Sequence, residues 1–257
     1  MAMWSAFPHL GEYQFDASSV SRLWGRLHLG DTEPLPAQPE VLEAWALFHN
    51  GEFQRAAEAG LAAGDAGVTV ANKATCIYAN YLEKKEKARL DLFLEAAQRA
   101  ERQAAAEPEN PNAWYWLAYA LGRYSQGISV AKALAQGMGS KVKDALEHTI
   151  RLQPHHADAH IALAAFHAEV IDKVGSLIGS MTYGAKKEVA LKLFQEALRI
   201  HPGSPIGLIE YANGLVMLEG EKTMREATAL YEQAAGLQPL DAMERLDVEL
   251  ARAELQD

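Results

Sequence analysis

The 257-residue chain carries one cysteine, Cys76, so no internal disulfide can brace it. It lacks any run of about 18 apolar residues, the length a membrane-spanning helix requires. Basic residues are in deficit: 24 Lys and Arg stand against 34 Asp and Glu, a net charge of -10 with His neutral. Such a balance repels nucleic acid and anionic membranes at long range and leaves room only for local basic clusters. Runs of β-branched residues are nearly absent and aromatics make up 8%, which leans away from sheets. The chain has no G-x-S-x-G elbow, no phosphate-binding glycine loop of full spacing and no strand-turn-helix context for a dinucleotide. Its first residues, MAMWSAFPHLGEYQF, have neither the basic n-region nor the apolar stretch of a secretory signal, and with the lone thiol this gives a cytoplasmic expectation.

Against these absences stand abundant Ala and Leu and a recurring punctuation. Pro108, Pro154, Pro202 and Pro239 each close a helix-like run, and six residues after the first three come Trp114, His160 and Leu208. From these residues the pattern repeats. Trp114, Leu117, Ala118 and Leu121 are matched by His160, Leu163, Ala164 and His167, and again by Leu208, Tyr211, Ala212 and Leu215. Spacing of i, i+3, i+4, i+7 puts each set on one helical face. A second helix precedes each closing proline, marked by Val142, Leu146 and Thr149, by Ala190, Phe194 and Ala197, and by Ala227, Tyr231 and Ala234. Asn110-Pro111 and Ser204-Pro205 pair a capping residue with a first-turn proline. Upstream, Ala44, Leu47, Asn50-Gly51, Phe53 and Ala56 form a degenerate unit, and residues 66–108 hold a helix near 70–82 and a longer one near 86–106. Residues 241–255 form a last amphipathic helix.

This register resembles the tetratricopeptide repeat, W-x2-L-G-x2-Y, then A-x3-F, then P. The expected fold is therefore all-α: a tetratricopeptide-like α-solenoid of about five hairpins with a C-terminal capping helix. Residues 1–38 are expected as an N-terminal arm and residues 39–257 as the repeat domain. A standard repeat is about 34 residues, and Pro108, Pro154 and Pro202 are spaced well beyond that. The surplus elongates the third and fourth hairpins with Gly-containing apolar segments, in which Gly175 and Gly179 are expected on one helical face. Long hairpins with a GIxxAKxL-like segment (Gly127, Ile128, Ala131, Lys132, Leu134) after an AWYWLAYAL-like helix resemble two families. One is the regulator-of-microtubule-dynamics family and the other the T-component lipoproteins of TRAP transporters. Both resemblances imply an α-solenoid without catalytic activity.

Chemistry-bearing residues are sparse. His156 and His160 have a metal-ligand spacing of i, i+4, but His160 and His167 fall on the repeat's own large-residue positions, so no metal site is expected. Cys76 lies in an apolar helix and reads as an inert thiol. No catalytic residue and no cofactor is expected. In solenoids the first helix of each hairpin lines the inner surface. That places Asn112, Tyr115, Trp116, Tyr119 and Arg123 of the third hairpin on a groove, with Ile161, Ala165 and Glu169 of the fourth and Ile209, Asn213 and Met217 of the fifth. The expected function is a non-catalytic scaffold that holds an apolar or amphipathic peptide segment there. The occupant is a protein or peptide partner, this chain's own arm or another subunit, and not nucleic acid. The arm qualifies because Asp16 can cap a helix with Val20, Leu23, Trp24 and Leu27 on one face, ahead of a Pro-rich linker. The alternative is a binder of a small hydrophobic ligand, associated with a transporter, in a cavity near Ile128, Leu134, Val174, Leu177 and Ile178.

Overall fold

A computed structural model describes residues 3–128, 132–133 and 136–256. All regular structure among them is helical. In chain order the α-helices are α1 (Ala17–Leu27), α2 (Pro39–His49), α3 (Phe53–Ala62), α4 (Val68–Tyr81), α5 (Glu86–Ala106), α6 (Pro111–Gln126) and α7 (Met138–Leu152). They continue as α8 (Ala157–Val174), α9 (Ser176–Tyr183), α10 (Lys187–Ile200), α11 (Pro205–Glu219), α12 (Met224–Ala235) and α13 (Ala242–Glu254). Each helix from α2 to α7 packs on its chain neighbour, α8 packs on α9, α10 and α11, and α11 packs on α10 and α12, a helical-repeat arrangement with α9 inserted into the fourth hairpin. Ala131 and Leu134, named above for the third hairpin, lie outside the described residues.

The expected caps are present. Asp16 accepts from the Ser19 N–H and the Ser19 hydroxyl answers the Asp16 N–H, a reciprocal capping box that starts α1. Asn110 accepts from the N–H groups of Asn112 and Ala113 at the start of α6, and Ser204 from Gly207 at the start of α11. A further bond marks the repeat register. The Trp114 indole N–H donates to the Pro108 carbonyl at 2.9 Å, and His160 Nε2 donates to the Pro154 carbonyl at the same distance and sequence offset. The large residue six positions after the proline thus ties the inter-hairpin turn to the helix that follows it. Leu208, the third of the set, has no donor to do this.

The chain divides into two compact units. The first comprises Met1–His28, Thr32–Gln153 and Asp241–Met243; the second comprises Leu29–Asp31, Pro154–Leu240 and Glu244–Asp257. In the first, α4 is covered by α2, α3, α5 and α6, and every residue from Thr69 to Ala79 is buried. In the second, Ile161, Ala164, Phe194, Ala197, Tyr211 and Leu215 form one core cluster. Ala251 of α13 closes another over Leu208, Ile209 and Ala234. The last helix does what an end cap must do, covering an apolar side that the final hairpin would otherwise expose.

One expectation about the insertion is corrected. Gly175 does not share a helical face with Gly179: it has φ +81, in the left-handed region, and breaks the chain between α8 and α9. Gly179 does allow a close approach, since a Cβ there would lie 3.0 Å from Val170 Cγ1.

Candidate interaction surface

In the first unit the N-terminal arm is laid onto the first two hairpins through a series of aromatic anchors. Trp4 stacks on Tyr78 with ring centroids 4.3 Å apart, and its N–H donates to Gln54 Oε1 at 2.8 Å. Phe7 is buried against Phe53 and over Gly51, where a Cβ would meet its ring at 2.4 Å. Asn50 then grips the main chain of Phe15: its Oδ1 accepts the Phe15 N–H at 2.7 Å and its Nδ2 donates to the Phe15 carbonyl at 3.0 Å. This two-point contact reads backbone, as a neighbouring strand would, whatever side chain follows. Helix α1 packs on α2. Its Trp24 is buried edge-on to Trp45, stacks on His28 at 4.0 Å and donates its indole N–H to the Glu33 carbonyl at 2.7 Å. The Glu33 carboxylate accepts from Asn112 Nδ2 at 2.6 Å, so the arm reaches the start of α6. Val20 is buried beside Trp24, whereas Leu23 is 41% exposed and contributes little to docking.

Beneath the arm lies a buried polar group that the sequence did not announce. The Lys73 ammonium sits 5.3 Å from the Phe48 ring, 5.6 Å from Trp45 and 6.0 Å from Trp116, within cation–π range of aromatics on both neighbouring helices. His49, fully buried, donates Nδ1–H to Asp241 at 2.6 Å, a contact between residues 192 positions apart. Toward α5, Arg99 donates to Asn72 Oδ1 at 3.0 Å, to Thr75 Oγ1 at 2.7 Å and to Glu95 at 2.7 Å, while Gln103 donates to Thr69 at 3.0 Å. Burial lowers the pKa of Arg99 from its ordinary value, and Glu95 pulls the other way. The Thr69, Asn72, Thr75 spacing of i, i+3, i+6 was the visible sign of this network, a polar stripe on a helix rich in apolar residues.

These contacts change the reading of the third hairpin. Tyr115 and Trp116 do not form an open aromatic surface; both are buried, Trp116 to 1% exposure. Lys73 approaches the face of the Trp116 indole, and the Trp116 Nε1 has no hydrogen-bond partner among the described residues. Tyr119 and Arg123 remain half-buried, with the guanidinium 5.4 Å above the tyrosine ring.

In the second unit the predicted set also splits. Ile161 and Ile209 are core residues, each locked into a cluster by a facing helix. Ala165, Glu169 and Asn213 are half-buried, and Met217 is 37% exposed. Asn213 Oδ1 accepts from the Tyr231 hydroxyl at 2.5 Å, which fixes the amide on the α11 surface. The histidines have structural bonds. His156 caps α8 by accepting from the Ala159 N–H, His160 holds Pro154, and His167 accepts the Lys186 N–H at 3.3 Å. Among the described residues, no three His, Cys, Asp or Glu side chains converge as metal ligands.

With this geometry in place, comparison with known proteins assigns the lineage. The family described as regulator of microtubule dynamics protein 1-3 matches residues 64–242, well over half of the chain. The chain belongs to this family. The matched stretch runs from the turn before α4 to the start of α13, so the arm and first hairpin lie outside it. No curated protein matches the chain. Within the family stretch, Cys76 is fully buried, and burial pushes its thiol up to about 12, far from the thiolate a nucleophile needs. The cavity expected near Ile128, Leu134, Val174, Leu177 and Ile178 is not walled by two of its members: Leu177 and Ile178 face solvent. No helix among the described residues is long and apolar enough to cross a membrane.

Proposed function

We propose that this chain is a non-catalytic protein-interaction module of tetratricopeptide-like design that holds apolar or amphipathic peptide segments. The observation that carries the reading is the arm itself. The first unit receives an extended segment through a backbone clamp at Asn50, then an amphipathic helix through a buried Trp24, then a carboxylate through Asn112. That is the mode in which an amphipathic helix is read by a groove, here realised within one chain. The arm therefore describes its competitor: an aromatic-anchored helix followed by an acid. In the second unit the accessible positions of the predicted surface, Ala165, Glu169, Asn213 and Met217, offer a mixed apolar and polar face. The family's description points to a protein partner in the regulation of microtubule dynamics. The buried inert thiol and the structurally engaged histidines support holding rather than catalysis.

The test uses a fluorescent peptide of residues 12–33 titrated into the chain lacking residues 1–36, with circular dichroism showing that the chain is folded. Saturable binding to the shortened chain and none to the full chain is expected. A folded, shortened chain that ignores the peptide overturns the proposal.

A further inference from the structure

Helix α9 carries the most exposed large apolar side chains among the described residues of the second unit. The chain enters it at Gly175, with φ +81, and leaves at Gly184, with φ +66, so both ends are sharp. One face is held down: Gly179 packs on Val170 of α8, the Ala185 N–H donates to the Gly179 carbonyl at 3.1 Å, and Tyr183 meets Phe166 edge-on. Outside that held face, Leu177 is 71% exposed, Ile178 58% and Met181 81%. Such exposure costs about 1.5–3 kcal/mol per side chain relative to burial, and surface clusters of this kind mark interaction sites.

Charge decides which partner. Lysines flank α9 on both sides, Lys173 before it and Lys186, Lys187 and Lys192 after it, against the two acids Asp172 and Glu188 between residues 172 and 192. This stretch is basic in a chain whose net charge is -10. Lys173 and Lys187 are paired with Glu169 and Glu219, whereas Lys186 and Lys192 have no carboxylate partner among the described residues. At physiological salt the Debye length is about 8 Å, so a docking surface feels the local balance, in which Lys186 and Lys192 stand unpaired, rather than the net charge of the whole chain. Three side chains cannot supply the roughly 800 Å² per partner that a stable protein interface buries. A bilayer makes no such demand: it takes isolated apolar side chains into the acyl boundary while lysines meet the headgroups.

We infer that α9 and its flanking lysines dock this protein onto anionic lipid bilayers. The contact is peripheral and reversible. The test is sedimentation of the full chain with vesicles of phosphatidylcholine alone and with vesicles that also contain phosphatidylserine. Expected is binding to the anionic vesicles only, weakened about fivefold by each of Lys186→Gln and Lys192→Gln. The Leu177→Ser/Met181→Ser double variant should weaken it at least tenfold. All four positions are outside the core, and the two sets of variants test charge and apolar contact independently. Equal binding to neutral vesicles, or undiminished binding by the double serine variant, overturns the inference. So does self-association that the double serine variant abolishes, because it would give the patch to a second copy of the chain.

Discussion

Replacing Trp24 with alanine measures how firmly the arm is held. The indole is buried edge-on to Trp45 and stacked on His28, and it makes the 2.7 Å bond to Glu33 that turns the chain toward Asn112. Truncating a buried tryptophan costs about 3–5 kcal/mol, of which the lost hydrogen bond is about 1. For a chain of this length that is a fall in Tm of about 6–20 °C. The loss has a ceiling, because an arm that comes off entirely takes with it only its own docking free energy. Deleting residues 1–36 sets that ceiling. Leu23→Ala, on the same helix but 41% exposed, is the control and should cost less than about 1 kcal/mol. Differential scanning calorimetry of the three proteins decides. A Trp24→Ala Tm within about 2 °C of the parent would refute the argument that Trp24 is the arm's anchor.

Other perturbations have equally definite outcomes. Gly214→Ala places a Cβ 2.4 Å from the Phe194 ring, which stacks on Tyr211, and should destabilise by about 1–3 kcal/mol in urea titration; Gly122→Ala, whose nearest neighbour is Val142 at 4.0 Å, should instead be neutral or stabilise by up to about 1 kcal/mol. Thr32 is held at φ +49, a left-handed conformation that costs a branched residue about 1–2 kcal/mol, so Thr32→Gly should raise Tm. His160→Phe removes the donor to Pro154 and should lose about 1 kcal/mol in urea titration, whereas His160→Trp, copying Trp114, should lose less. Cys76 has its thiol raised from 9.0 to about 12, so above pH 9 the unfolded chain releases a proton that the folded chain keeps. Its contribution to stability is therefore intact below pH 9 and falls by about 1.4 kcal/mol per pH unit toward 12, and Cys76→Ala should flatten that part of the alkaline unfolding profile.

Local physics let the sequence by itself determine the helices and their pairing. The 3.6-residue period, the prolines and the capping residues act within a few positions, so Asp16, Asn110 and Ser204 announce helices that begin where they should. The repeat register was legible for the same reason, down to His160 standing where Trp114 stands. The amphipathic arm helix was legible, but its inner face was right for Val20 and Trp24 and not for Leu23, since a periodic stripe does not say how wide the receiving surface is. Only the tertiary structure decided which inner-helix residues stay accessible. Tyr115, Trp116, Ile161 and Ile209 are at groove positions by register yet are buried by neighbouring helices. Their environment depends on side chains far away in sequence. Lys73 is enclosed by residues from α2 and α6, Asn50 grips the backbone of Phe15, and His49 meets Asp241 across 192 positions. A helical period fixes the direction in which a side chain points from its own axis. What it meets there depends on how the other helices have packed.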